Sequence, residues 1–247
     1  MNILVCISKT PETTAKIAFT DDQKSFQKEG VNFIMNPYDE WYALVRALEL
    51  KEKFGGEVTV VNVGPAENDT IIRKALAIGA DKAVRINATP STALETAKHI
   101  STYAKAQSYD AIFLGKETID YNGSEVGGMV SAIMDWPYIS YASKLETDDG
   151  KTHTVTRDIE GGVEVAELET PFVLSAAKGL AEQRIPNMRG IMMAKRKPLE
   201  VVEPESQDAH VSVVQFELPS DKGDVKMIDP ENMEELVKLL HEEAKVI

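Results

Sequence analysis

Cysteine is almost absent from this sequence. Cys6 is the only cysteine in 247 residues, so no disulfide can form within the chain. Because Cys6 lies inside the apolar run of residues 3–7, we expect a buried thiol rather than a reactive one. A chain without disulfides suits a reducing compartment.

Long apolar runs and positive charge are also scarce. No apolar run approaches the ~20 residues that a membrane helix needs, and the first strand-like run begins without a basic flank. We therefore expect neither a membrane insertion nor a signal peptide. The chain has 27 Lys and Arg against 40 Asp and Glu, a net charge of -13. This negative field argues against binding to nucleic acids or anionic membranes.

The sequence lacks the usual catalytic and metal-binding motifs. No H-E-x-x-H zinc motif or G-x-S-x-G nucleophile elbow occurs, and the histidines are scattered at positions 99, 153, 210 and 241. With 40 acids in the chain, acidic pairs such as Asp120 and Glu125 arise by chance. The sequence therefore predicts no metal site and favours a binding protein or cofactor carrier over an enzyme.

Strand-like and helix-like segments alternate in the first half of the chain. Apolar runs at 3–7, 57–63, 83–86 and 111–114 are separated by a hairpin excursion at 17–35 and by helical patterns. Asn36 as N-cap and Pro37 in the first turn predict the start of a helix that ends at Gly55 and Gly56. Two further helices are predicted over 71–78 and 91–107. This order predicts an α/β protein with a parallel, Rossmann-like sheet and helices on both faces.

The pattern changes after residue 137. Runs at 138–145, 153–158, 163–168 and 172–176 predict antiparallel strands, and 178–198 predicts an exposed basic loop. Glu200 to Asp208 reads as a linker, and Asp229-Pro230 predicts the start of a C-terminal helix. We therefore expect an α/β nucleotide-binding domain over 1–199 and a linker with a C-terminal helical arm over 200–247.

The segment from Gly115 to Val126 is the best candidate for a binding loop. It joins the apolar run at 111–114 to a helix-like stretch, and a helix offers unpaired N–H groups to an anion at its start. Gly123 permits a close approach to the backbone, and Ser124 can cap the helix or donate to a phosphate oxygen. The glycine spacing matches no known nucleotide motif, so a plain turn with a serine N-cap is an equal alternative.

With these residues in view, the sequence resembles the β subunit of electron transfer flavoprotein along nearly its whole length. Seven blocks in the family's order carry the resemblance. They are Met35-Asn36-Pro37, Val63-Gly64-Pro65, residues 75–81, Leu114-Gly115-Lys116 with Ile119-Asp120, Asp135-Trp136-Pro137, residues 157–164 and residues 191–197.

The resemblance implies a subunit of a redox carrier. In that family the β subunit pairs with a larger α subunit that holds most of a redox-active FAD, and it buries an AMP. The heterodimer relays electrons from flavoprotein dehydrogenases, such as acyl-CoA dehydrogenases, to a quinone oxidoreductase. The nucleotide-binding residues that it implies here are Cys6, Asn36, Pro37, Tyr38, Asp39, Val63, Gly115, Asp120, Asn122, Gly123, Ser124, Glu125 and Val126, with Gly123 and Ser124 at the phosphate.

The resemblance also implies contacts with partners. Asp158 is expected near the flavin of the α subunit, and the C-terminal arm is expected to pack on that subunit. The partner-recognition loop corresponds to residues 180–189, with Leu180, Arg184, Met188 and Arg189 as docking residues. Met188 stands at the family's anchoring leucine, and methionine suits a socket that accepts several partners. The implied compartment is a bacterial cytoplasm, or the mitochondrial matrix if the protein is eukaryotic and its transit peptide is absent.

Two alternatives remain open at this point. Electron-bifurcating members of the family hold a second FAD in the β subunit, but many family members carry glutamine where this chain has Glu125. A carboxylate beside a pyrophosphate lowers affinity, so AMP is favoured here over a second FAD. The other alternative is a stand-alone regulatory module that binds an adenine nucleotide.

Overall fold

The computed structural model of the protein describes residues 1–205, 211–220 and 223–247. Its strands and helices alternate through most of the chain. The strands are β1 (Ile3–Cys6), β2 (Lys9–Pro11), β3 (Phe33–Met35), β4 (Val58–Val63), β5 (Lys82–Ile86), β6 (Ala111–Gly115), β7 (Tyr138–Glu146), β8 (Thr152–Ile159), β9 (Gly162–Glu169), β10 (Phe172–Ala176) and β11 (Leu199–Val202). The helices are α1 (Asp39–Phe54), α2 (Asp69–Ile78), α3 (Ala93–Lys105), α4 (Val126–Met134), α5 (Met188–Ala194) and α6 (Met233–Lys238).

A nine-stranded sheet organises the fold, in the order β11-β5-β4-β1-β6-β10-β7-β8-β9. Every pair from β11 to β7 is parallel, and β8 and β9 continue the sheet as an antiparallel ribbon. A separate small sheet pairs β2 with β3. The predicted α/β class, with a large parallel sheet between helices, is confirmed.

Strand β1 shows how the two faces of the sheet are covered. Ile3 and Val5 pack with α1 and α2 on one face, whereas Leu4 and Cys6 pack with α3 and α4 on the other. Successive side chains of a strand point to opposite faces, so a strand covered on both sides must be apolar at every position. This explains the continuous apolar run at the start of the sequence.

Helix α1 does not begin as the sequence predicts. It starts at Asp39, and Tyr38 occupies the N-cap position with φ +65° and no capping hydrogen bond from its side chain. Asn36 is fully buried, and its side chain donates to the Glu117 carbonyl and accepts from the Ile119 N–H, both at 3.0 Å. The prediction of Asn36 as the helix cap is therefore wrong, because its amide satisfies the backbone of a distant loop instead.

The strands after residue 137 are antiparallel only in part. β8 and β9 form the predicted ribbon, but β10 lies between β6 and β7 and is parallel to both. All five residues of β10 are buried, as in the interior of a sheet covered on both faces. Periodicity alone could not identify these pairing partners.

Two segments predicted to be irregular contain regular structure. Residues 178–198, predicted as a loop, include α5, which packs closely on α2: a Cβ on Gly190 would lie 2.5 Å from the Ala77 carbonyl oxygen. The predicted linker begins inside β11, which pairs with β5 at the edge of the sheet. Its residues 206–208 lie outside the described residues, and the domain boundary at 199 stays a prediction.

The C-terminal helix is present but starts later than predicted. Asn232, rather than Asp229-Pro230, precedes α6, and its side chain accepts a hydrogen bond from the Glu235 N–H. Earlier in this segment, the Phe216 ring stacks on Phe19 with 5.1 Å between ring centroids. Phe19 also bridges to Phe26 in antiparallel fashion, which agrees with the predicted hairpin excursion. Within the described ranges, no helix has the length and apolar character needed to cross a membrane.

A histidine in β8 is buried without a polar partner. His153 has no solvent exposure, its ring lies 4.8 Å from that of Phe172, and neither ring nitrogen has a hydrogen-bond partner among the described residues. Burial lowers the pKa of His153 because the charged form loses its hydration. The folded protein therefore holds this imidazole in its neutral form.

We expect His153 to make folding sensitive to acid. Below the ordinary histidine pKa of about 6.5, the unfolded chain binds a proton that the folded chain does not, so stability falls with pH by up to about 1.4 kcal/mol per unit. Urea unfolding between pH 5 and 8 measures this. His153→Leu should flatten the dependence, whereas His241→Leu, at an exposed position, should leave it unchanged. An identical pH slope in wild type and His153→Leu would contradict the assignment.

Candidate functional site

The carboxyl ends of β1, β4 and β6 open into a cavity of about 470 Å³. It is lined by residues that follow these three strands and by the first turns of α3 and α4. Pockets for small ligands in α/β sheets form at this edge because the parallel strands all end there.

Eight of the thirteen predicted nucleotide residues line this cavity. They are Cys6, Val63, Gly115, Asp120, Gly123, Ser124, Glu125 and Val126. The other five do not line it, and they are Asn36, Pro37, Tyr38, Asp39 and Asn122. Three of these still shape its wall: Asn36 holds the loop after β6, Asp39 adjoins Gly115, and Asn122 turns the loop with φ +49°. Tyr38 is 54% exposed.

Ser124 does not cap α4. The helix begins at Val126 with Glu125 at the N-cap position, and neither residue receives a capping bond from a side chain. Ser124 has φ +52°, and its hydroxyl donates to Glu117 Oε2 at 3.3 Å and accepts from the Tyr141 hydroxyl at 3.0 Å. The predicted serine cap is therefore wrong, and the side chain instead ties the loop to β7.

The sequence analysis missed the contribution of α3 to the cavity. Ser91, Thr92 and Ala93 line it, and Thr92 caps α3 by accepting a hydrogen bond from the Glu95 N–H at 3.1 Å. Two helix N-termini therefore border the same space, and each favours an anion there. The capping threonine is visible in the sequence, but its proximity to the other loops depends on the order of the strands.

Two buried asparagines form a polar wall that was also missed. Asn62 donates to the Ile7 carbonyl at 2.8 Å, and Asn68 donates to Asn62 Oδ1 at 2.9 Å. Gly64 makes room for them, since a Cβ there would lie 2.0 Å from Asn68 Nδ2. The one signal in the sequence is an asparagine at position 62 within an otherwise apolar strand.

Burial changes the ionisation of several groups at the cavity. Glu40 is only 4% exposed and accepts a hydrogen bond from the Ser8 N–H at 2.6 Å. Burial raises its pKa to about 8, and the nearby Asp120 and Asp39 raise it further. Burial also raises the pKa of Asp39 to about 6 and that of the Cys6 thiol well above its usual range. The expectation that Cys6 is a buried, unreactive thiol is confirmed.

Two lysines bring positive charge to the cavity. Lys9 pairs with Glu67 at 2.7 Å, and Lys116 pairs with Glu117 at 3.3 Å. In the part of the chain that the structure describes, no cluster of His, Cys, Asp and Glu could hold a metal ion. Helix ends, lysines and small loop residues together suit the binding of an organic anion.

The residue expected near a partner flavin lies on the antiparallel ribbon and not at the cavity. Asp158 is exposed near the end of β8, where it lies opposite Val163 of β9. Its neighbour Arg157 donates to the Ser140 hydroxyl at 2.7 Å and to Glu164 at 3.0 Å. The exposed side chains around Asp158 include the apolar Ile159, Val163 and Val165.

The predicted docking residues differ in their exposure. Leu180 is 4% exposed and belongs to the core, so it anchors the base of the loop. Arg184 donates to both carboxylate oxygens of Glu52, at 2.6 and 3.2 Å. Met188 is 75% exposed at the start of α5, and Arg189 is also exposed. Further exposed apolar side chains surround Met188, namely Ile185, Ile191, Met192 and Met193.

Comparison with known proteins gives a consistent result. Residues 24–207 match the family model of the electron transfer flavoprotein domain. The electron transfer flavoprotein subunit beta of Bacillus subtilis (strain 168) is 37% identical, with 100% of both chains covered. The subunits of the same name from Bradyrhizobium diazoefficiens and Homo sapiens are 34% and 33% identical over 100% of this chain and 100% and 99% of theirs.

Proposed function

This chain belongs to the electron transfer flavoprotein family, and as a β subunit of that family we propose that it binds AMP in the cavity and pairs with an α subunit that carries FAD. The observation that carries the proposal is the cavity where β1, β4 and β6 end. Its two helix N-termini and its glycine-containing loop suit a phosphate, and its volume falls within the range of small-ligand pockets.

The cavity residues have distinct roles in this proposal. The loop from Gly123 to Val126 and the first turn of α3 offer backbone N–H groups to the phosphate. Ser124 is held in place by Tyr141 and Glu117, so it is oriented before the nucleotide arrives. Asn36 keeps the preceding part of the loop in position from below. Cys6, Val63 and Gly115 form the apolar and backbone wall at the strand ends.

The antiparallel ribbon supports the proposed pairing with an α subunit. Ile159, Val163 and Val165 are 47%, 59% and 62% exposed, and such a cluster of apolar side chains marks an interaction surface. Asp158 on the same ribbon would face the flavin of the α subunit. In the heterodimer the FAD supplies the redox chemistry, accepting electrons from flavoprotein dehydrogenases and passing them to a quinone reductase. This chain supplies the surfaces that position both flavin and partners.

Co-expression with an α subunit tests the proposed function directly. We expect a yellow heterodimer that contains FAD and AMP, because the apolar surfaces of β9 and α6 need a partner. The control is this chain expressed alone. A stable, monodisperse monomer that forms no coloured complex with an α subunit would instead support a stand-alone nucleotide-binding module.

Nucleotide binding should depend on Gly123. A Cβ at this position would lie 3.7 Å from Glu125 Oε1, so Gly123→Asp is tolerated sterically but adds a second carboxylate beside the phosphate. We expect this variant to lose the bound AMP and to assemble less well. Mass spectrometry of the denatured heterodimer measures the nucleotide per chain, with Gly223→Asp, at an open position, as the control. Wild-type protein without adenine nucleotide would refute AMP binding, and stoichiometric FAD in the β subunit would support the bifurcating alternative.

Met188 should act as the anchor for partner dehydrogenases. Burying a methionine side chain contributes about 2 kcal/mol, so Met188→Ala should weaken the affinity for the dehydrogenase by roughly tenfold or more. Thermal stability should barely change, because Met188 is 75% exposed in the free chain. Electron transfer is titrated against dehydrogenase concentration, with Met227→Ala as the exposed control. Unchanged half-saturation together with a lowered melting temperature would show that Met188 packs within its own loop.

A further inference from the structure

The buried carboxyl of Glu40 is the one cavity group whose role is not explained by the sheet or by partner binding. It lies in the first turn of α1 and lines the cavity, although its residue is only 4% exposed. It touches β6 closely, since a Cβ on Gly115 would lie 2.8 Å from Glu40 Cγ. A carboxylate buried against the site of an anionic ligand would repel that ligand, so its ionisation state matters.

Charged groups surround Glu40 on each element that packs against it. Asp39 precedes it on α1, and Asp120, Lys116 and Glu117 lie on the loop after β6. On the β1 side, Cys6 stays a neutral thiol and Lys9 is already paired with Glu67. No unpaired cation in this group compensates a charge on Glu40, and the two acids Asp120 and Asp39 oppose one.

The geometry of Ser8 divides the work of the two Glu40 oxygens. The Ser8 N–H binds Oε2 at 2.6 Å, so this oxygen acts as an acceptor. A neutral carboxyl carries one proton that must be donated elsewhere, and the cavity is the space that Glu40 borders. We propose that neutral Glu40 donates a hydrogen bond to the nucleotide bound in the cavity, so that nucleotide affinity falls when this carboxyl ionises. The inference rests on the proposed nucleotide site.

The expected pH range follows from the groups present. Burial raises the pKa of Glu40 to about 8, whereas that of Asp39 is about 6, and the thiol of Cys6 stays protonated. The second phosphate pKa is about 6, so the charge of the AMP phosphate is constant above pH 7. Between pH 7 and 9.5, Glu40 is therefore the cavity carboxyl that changes its charge. Affinity should stay high up to about pH 8 and then fall by roughly tenfold per unit.

Equilibrium dialysis with AMP tests the proposal on the full-length heterodimer from pH 7 to 9.5. Wild type and the control Glu29→Gln, an exposed acid outside the cavity, should show the decline. Glu40→Gln keeps an acceptor for Ser8 and an N–H donor, so it should bind AMP as wild type does at pH 7 and lose the decline. Glu40→Leu has no donor, and it should bind at least tenfold more weakly at every pH.

Each contrary outcome has a distinct meaning. A pH-independent wild type, a decline that persists in Glu40→Gln, or equal affinity of the Gln and Leu variants at pH 7 would overturn the role of Glu40. Thermal unfolding checks that each variant is folded, and if Glu40→Leu is not, the wild-type and Glu40→Gln profiles decide. A wild-type heterodimer that binds no AMP at any pH would overturn the proposed nucleotide site instead.

Discussion

The site depends on how the backbone hydrogen bonds of β1 are completed where the strand ends. β1 is paired on both sides, with β4 and β6, so its polar groups are satisfied within the sheet as far as Cys6. Beyond that point side chains take over: Asn62 donates to the Ile7 carbonyl, and Glu40 accepts from the Ser8 N–H. A buried backbone group without a partner is costly, so the polar wall of the cavity also stabilises the sheet.

The sequence predicted the elements that carry a strong local signal. Continuous apolar runs identified the buried strands, and glycines at 55 and 79 marked the ends of α1 and α2, where both adopt positive φ. The resemblance placed eight residues at a cavity that the structure forms at the expected sheet edge. These successes share a cause, because each depends on neighbouring residues or on the rule that parallel strands end together.

What the sequence did not predict depends on contacts between distant segments. Asn36 and Ser124 look like helix caps, yet both side chains bind groups brought near by the fold, Asn36 across 81 residues to Glu117. β10 reads as one more strand of a meander, although it is inserted between β6 and β7. Glu40 reads as an ordinary acid in a helix's first turn, because its burial arises only when β1 and β6 close over it.

Helix α5 is rigidly supported although it presents an exposed apolar surface. Arg73 donates to the carbonyls of Ala194 and Lys197, and the Lys197 ammonium donates to Leu76 and Ala80 at the end of α2. The backbone that carries Met188 is thus ordered before any partner arrives. Association then requires only the ordering of flexible methionine side chains, which favours rapid encounter and lets one surface adapt to partners of different shape.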